Sequence, residues 1–295
     1  MIKEQRVRIK DCCWFIMICI SFSYSFANAQ SLRLKSRRAD ALTGTAFAKS
    51  ISDTALTLEQ REEIIFNEIK NGNVPDFLRK LKEIKINSGW EIGEIKISIA
   101  FYVLPDYFCI GSNDDFFYVP MTPILAQKVA DLTKCSLPTK KMVDTIYHNA
   151  TIKLLPQPIP PTKAMTTVAI FLAHNDSVKT QLKSDLQKHN NGELTAGHKK
   201  DLIISNKIYT EKTPKVVIYG WHKMDGRAIQ PVYNKHTNLW VDYSHGLRLI
   251  QNKVFIYLKK NKINKVLTDK YLSSMLSDEG VIKKPFYPIT TYKIY

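Results

Sequence analysis

Ile95-Lys96-Ile97-Ser98-Ile99-Ala100-Phe101-Tyr102-Val103 alternates apolar and smaller or polar side chains along its whole length. Period two makes it a strand with one buried face, the face of Ile95, Ile97, Ile99, Phe101 and Val103. Pro105-Asp106 ends it. Tyr107 to Ile110 and Phe116 to Val119 then read as a hairpin around Gly111-Ser112-Asn113-Asp114-Asp115.

On the N-terminal side, Thr57-x-x-Gln60 is a capping box. It opens a helix carrying Ile64, Ile65, Phe66 and Ile69, which stops at Asn71-Gly72. Pro75 opens a shorter helix. On the C-terminal side, Thr122-Pro123 starts a helix with Ile124, Leu125, Val129 and Leu132 as its stripe, and another restarts after Pro138. Four prolines at 156, 158, 160 and 161 make 156–163 a segment that crosses the domain in extended form. Beyond it the pattern predicts a strand over Val168–Leu172, a helix from near Asp176, and strands at Leu202–Ser205, Val216–Tyr219, Leu247–Ile250 and Val254–Leu258. A last short helix carries Tyr271, Leu272, Met275 and Leu276. N-terminal helices followed by a mostly antiparallel sheet give an α+β fold, a single compact domain over 57–295.

Residues 1–29 read as a cleaved signal peptide: a basic head (Lys3, Arg6, Arg8, Lys10), an apolar run from Cys12 to Ile20, and Ala27-Asn28-Ala29 before Gln30. The expected compartment is periplasmic or extracellular, with no transmembrane segment after processing. Residues 30–56, polar and basic with Arg33, Lys35, Arg37 and Arg38, are expected to form a flexible leader. The chain holds 43 basic and 27 acidic residues, and losing the peptide's four basic and two acidic ones leaves a net charge of +14. That excess draws the protein toward anionic surfaces and polymers, and nothing in it points to specific nucleic-acid recognition. After processing only Cys109 and Cys135 remain, and in an oxidising compartment they are expected to pair. Such a bridge would contribute about 3–4 kcal/mol.

Six of the seven histidines follow residue 170. Gly197-His198-Lys199-Lys200-Asp201, Gly220-Trp221-His222, His236 and Asp242-Tyr243-Ser244-His245-Gly246 place them beside glycines, acids and aromatic rings. Asp242 and His245, three apart, suit a carboxylate steadying one imidazole nitrogen while the other handles a proton, and His198 with Asp201 repeats the spacing. The expected catalytic set is therefore His245, Asp242, His222, His198 and Asp201. Lys200, Trp221, Tyr243, Arg248 and His236 are expected to bind substrate. No cofactor is expected, although zinc remains open, since the sequence has no compact metal-ligand spacing.

If unpaired, Cys135 becomes an alternative nucleophile. A cysteine followed by histidines on antiparallel strands resembles papain-like and cell-wall NlpC-type peptidases in order only. Those families set the thiol in a helix's first turn, whereas Leu137-Pro138 leaves Cys135 ahead of it. The function these features favour is an exported hydrolase of an extracellular or cell-envelope polymer, peptide or glycan. The alternative is a noncatalytic envelope- or polyanion-binding secreted protein.

Overall fold

The computed structural model describes residues 30–92 and 95–293. The signal-peptide reading lies outside the described residues. Among the described residues, six α-helices and mostly antiparallel sheets, 31% helix and 22% strand, make an α+β fold, and those from Ser31 onward cluster as one unit.

The helices are α1 (Gly44–Ser50), α2 (Leu58–Lys70), α3 (Pro123–Thr133), α4 (Lys140–Asn149), α5 (Val168–Asp185) and α6 (Ile263–Thr268). The larger sheet runs β1 (Lys82–Ile92), β2 (Ile95–Val103), β12 (Ile250–Ile256), β13 (Lys259–Lys262), with β5 (Cys135–Ser136) also pairing β12. Its centre is the alternating strand read above: Ile99, Phe101 and Val103 are fully buried. β3 (Cys109–Gly111) and β4 (Phe116–Tyr118) form the expected hairpin, and β6 (Ile152–Lys153) pairs β7 (Thr195–Ala196). The second sheet, in the order β10 (Ala228–Tyr233), β9 (Ile218–His222), β8 (Lys200–Leu202), β11 (His245–Gly246), is antiparallel except where β11 joins β8.

The helix starts follow their caps. Thr57 and Gln60 exchange both capping-box bonds, at 3.2 and 2.9 Å. Thr122 caps α3. Glu62, buried in α2, accepts from the Thr122 N–H and hydroxyl, both at 2.6 Å, and from Tyr292 at 2.7 Å. Three distant segments are thereby tied by one carboxyl.

Several expectations are corrected. Residues 30–56 are no loose leader: Leu32, Phe47, Ala48 and Ile51 are in the core, because α1 packs on the β3–β4 hairpin. Gly44 N–H donates to Asp115 O at 2.8 Å, and Arg37 reaches Asn73 Oδ1 at 2.9 Å. The strand expected at Val168–Leu172 is the first part of α5. Its buried positions 168, 171, 175, 178 and 182 follow helical spacing, but Asn175 among them hides the apolar stripe. In place of the expected strands at 247–250 and 254–258 a single strand, β12, runs over Ile250–Ile256, with 247–249 outside it and Tyr257-Leu258 in the turn that follows. No bridge joins the cysteines: Cys109 lies in the β3–β4 hairpin and Cys135 on β5 of the larger sheet, both free and buried. Burial pushes the Cys135 thiol up to about 11, further from a thiolate nucleophile.

Candidate functional site

The second sheet assembles the histidine-rich segments. β8 sits between β9 and β11, so Lys200 faces His245 on one side and Gly220 on the other, and Asp201 faces Gly246 and Tyr219. Gly246 is required there, since a Cβ would sit 2.6 Å from the Tyr107 ring and 2.7 Å from Lys199 Cβ. Gly220 and Trp221 both have positive φ, 114° and 60°. For tryptophan this conformation is strained, and such strain concentrates at functional sites.

Of the two spacings read as Asp–His pairs, one brings its residues within ion-pair range but without a hydrogen bond, since neither ring nitrogen of His245 has a hydrogen-bond partner. His245 Nε2 lies 3.7 Å from Asp242 Oδ2. The hydrogen bonds Asp242 accepts come from the Ser244 hydroxyl and N–H at 2.5 and 2.8 Å and from the Trp240 indole at 3.3 Å. Burial pushes Asp242 up, but His245, Ser244 and Lys200 outweigh it and bring it to about 2. His245 goes the other way: burial lowers it to about 4, so a neutral imidazole stands beside a carboxylate at neutral pH.

His198 and Asp201 find other partners. His198 Nε2 is 3.4 Å from Asp106 Oδ1. Asp201 accepts from the Tyr107 hydroxyl at 2.7 Å, and Arg248 Nε stands 3.9 Å from it. Tyr118 donates to Asp106 at 2.6 Å. Burial raises Asp106 and Asp201 to about 6, with Arg248 pulling each back. Lys199, lowered by burial to about 7, donates to Tyr243 O at 2.7 Å and meets His174 Nδ1 at 3.1 Å.

His222 belongs to a neighbouring cluster on α4. Its Nε2 is 3.1 Å from Asp144 Oδ1, which also receives the Tyr219 hydroxyl at 2.6 Å, while Lys140 reaches Asp144 Oδ2 at 2.7 Å. Burial works to raise Asp144, and these three partners bring it instead to about 2.

The residues expected to touch substrate separate. Arg248 is fully buried, its guanidinium donating to Leu104 O and Thr195 O at 3.1 and 2.7 Å. It is a core counter-charge rather than a clamp. Trp221 and Tyr243 are also core, the latter exchanging both its hydroxyl bonds with Ile159 of the proline-rich crossing. Lys200 stacks over Trp221 at 4.6 Å. Of these five, His236 lines a groove. It stacks on Trp240 at 4.4 Å beside Lys235 and Thr213, in a hollow of about 360 Å³. Trp240 thus forms the wall between groove and Asp242–His245 pair.

Sequence reading missed Asp106, Asp144, His174 and Lys199. Lys199 lay within a quoted motif. The other three carry no local signal, because their partners are far along the chain. Among the described residues, no group of three or more His, Cys, Asp or Glu side chains is placed to hold a metal ion, and no helix is long and apolar enough to cross a membrane.

The buried neutral histidines set an acid response. His245 is held at about 4 and His174 at about 2, both by burial, and His198 well below the ordinary value for the same reason. The unfolded chain protonates all three near pH 6.5, roughly, before the folded chain does, so stability falls as pH drops through that region. Asp106 and Asp201 oppose this, because the folded state protonates them first, between about 6 and 3.8. Three groups outweigh two. The thermal midpoint is therefore expected several degrees lower at pH 5 than at pH 7.5, and an unchanged midpoint would remove the neutral-histidine assignment.

No family model, curated protein or solved structure matches the chain.

Proposed function

We propose that this protein is an exported hydrolase of an extracellular or cell-envelope polymer, peptide or glycan, with Asp242–His245 as its acid–base pair. One observation carries the reading. Of the ten buried side-chain nitrogen or oxygen atoms without a hydrogen-bond partner among the described residues, seven lie in this cluster: on His174, His198, Asp201, His245 and Arg248. Folded proteins leave few such atoms, and their concentration marks a place where a water or reacting group belongs. The widely separated pKa values of Asp242, His245, Lys199, Asp106 and Asp201 support the same conclusion.

In this reading neutral His245 takes the proton of an attacking water, and the Asp242 carboxylate stabilises the resulting imidazolium. Asp201 or Asp106, still partly protonated near pH 6, supplies the leaving group's proton. The His236–Trp240 stack forms a platform of the kind that holds sugar rings or peptide planes, and Trp240 must swing aside to admit substrate.

The test is release of new chain ends from insoluble cell-envelope material. New reducing ends would identify a glycan bond, and new amines a peptide bond. The acid limb of the rate profile is expected near the His245 value of about 4, below that of an ordinary histidine. No release from either polymer class would reject the hydrolase.

The complete burial of the His245 side chain favours a second reading, the noncatalytic envelope- or polyanion-binding protein, in which this network is a rigid core.

A further inference from the structure

A second concentration of unsatisfied groups lies away from the histidine cluster. β12, β13, the end of α3 and the Ser31–Arg33 segment enclose a cleft of about 460 Å³. Five cations line it: Arg33, Lys134, Lys253, Lys260 and Lys262, with no Asp or Glu among the lining residues. None of the five makes a salt bridge among the described residues. Lys253 and Lys262 are direct cross-strand partners, an arrangement that like charges disfavour unless something lies between them. On the cleft wall Gln251 is only 8% exposed, and its Oε1 has no hydrogen-bond partner; nor has Asn252 Oδ1. An amide turned by 180° offers its NH₂ at the same point, so each side chain has an unmet hydrogen-bonding group at the cleft wall.

The strands that supply Lys253, Lys260 and Lys262 meet in a two-residue turn, Tyr257-Leu258. Both residues have positive φ, 45° and 63°, and both are exposed, 47% and 79%. This is the type I′ signature, which Asn-Gly adopts easily and bulky apolar residues adopt under strain. The chain therefore holds two large apolar side chains in water, at a conformational cost, on the hairpin whose base carries the cationic cleft. Lysines on an edge strand commonly guard against sheet-to-sheet pairing. That role does not account for Arg33, Lys134, the unpartnered amides or the apolar tip.

We propose that this hairpin binds the phosphate of an anionic membrane lipid: the cleft takes the headgroup, and Tyr257 and Leu258 enter the acyl boundary. The inference is independent of whether the histidine cluster catalyses anything.

The experiment compares binding to phosphatidylglycerol-containing and pure phosphatidylcholine vesicles, with inorganic pyrophosphate as a soluble probe of the cleft. The protein is expected to bind the anionic vesicles only, and pyrophosphate is expected to bind saturably and compete. K253Q/K260Q/K262Q should weaken vesicle binding about a hundredfold and abolish pyrophosphate binding. Y257N/L258G supplies the preferred turn residues, so it should fold as well or better. It should nonetheless lose about tenfold or more in vesicle binding, with pyrophosphate binding unchanged. K163Q/K188Q/K212Q removes the same charge from exposed positions outside the cleft and should change little.

Three results would overturn the proposal. The control triple variant could weaken vesicle binding as much as the cleft variant, leaving general charge attraction. Pyrophosphate could bind the cleft variant normally. The tip variant could bind vesicles as the parent does while pyrophosphate still depends on the lysines, making the cleft a site for a soluble phosphate.

Discussion

Arg248→Met is expected to lower the unfolding free energy by about 3–5 kcal/mol, since removing one partner strands the other charges in the interior. Arg248 is fully buried, lies over the Tyr107 ring at 4.1 Å, and stands 3.9 Å from Asp201. It is the principal group holding Asp106 and Asp201 down against their burial. Without it both carboxyls rise further. The loss should therefore be larger at pH 8, where the unfolded chain gains fully from ionising them, than at pH 5, where both are protonated in the fold. Asp201→Asn in the same chain should restore part of the loss, because it removes one stranded charge. Urea denaturation of the parent, both single variants and the double variant at the two pH values measures this coupling. Equal losses at both pH values would show that Arg248 contributes packing and carbonyl bonds alone.

The largest functional effect is expected at His245. His245→Gln should lower kcat by about 10²- to 10⁴-fold, with KM little changed, the range for removal of a general base. Asp242→Asn should fall in the same range, because an amide cannot stabilise the imidazolium. Ser244→Ala should cost less, since it removes one of several donors to Asp242. The readout is the rate of chain-end release from envelope material, alongside far-ultraviolet circular dichroism to verify folding. A noncatalytic protein has no turnover for these substitutions to alter, and its His245→Gln variant would change stability alone. Full activity in a folded His245→Gln variant would move the chemistry elsewhere, first to the half-open His222–Asp144 pair.

Features whose physics is local were legible in the sequence. The Thr57–Gln60 box, the Thr122-Pro123 start and the β3–β4 hairpin depend on residues a few positions apart, so reading order and spatial order coincide. The Asp242–His245 pair was legible for the same reason. α5 was misread because its buried face includes His174 and Asn175, polar groups whose burial depends on partners elsewhere: Asn175 Oδ1 accepts from Tyr118 N–H, and His174 meets Lys199. The pairing of the cysteines failed as an inference because compartment and count say nothing of which sheet each thiol enters.

The sequence by itself determined the α+β class, the helix caps, the alternating central strand and the histidine-bearing turns, all written in periodicities and short spacings. Only the tertiary structure decided which carboxylate each histidine meets. It took Arg248, Trp221 and Tyr243 into the core, left both cysteines free, and gathered Arg33 and Lys134 to the lysines of the β12–β13 hairpin. Those outcomes depend on desolvation and on contacts between segments far apart in the chain, and burial and charge pairing exist only once the chain has closed on itself.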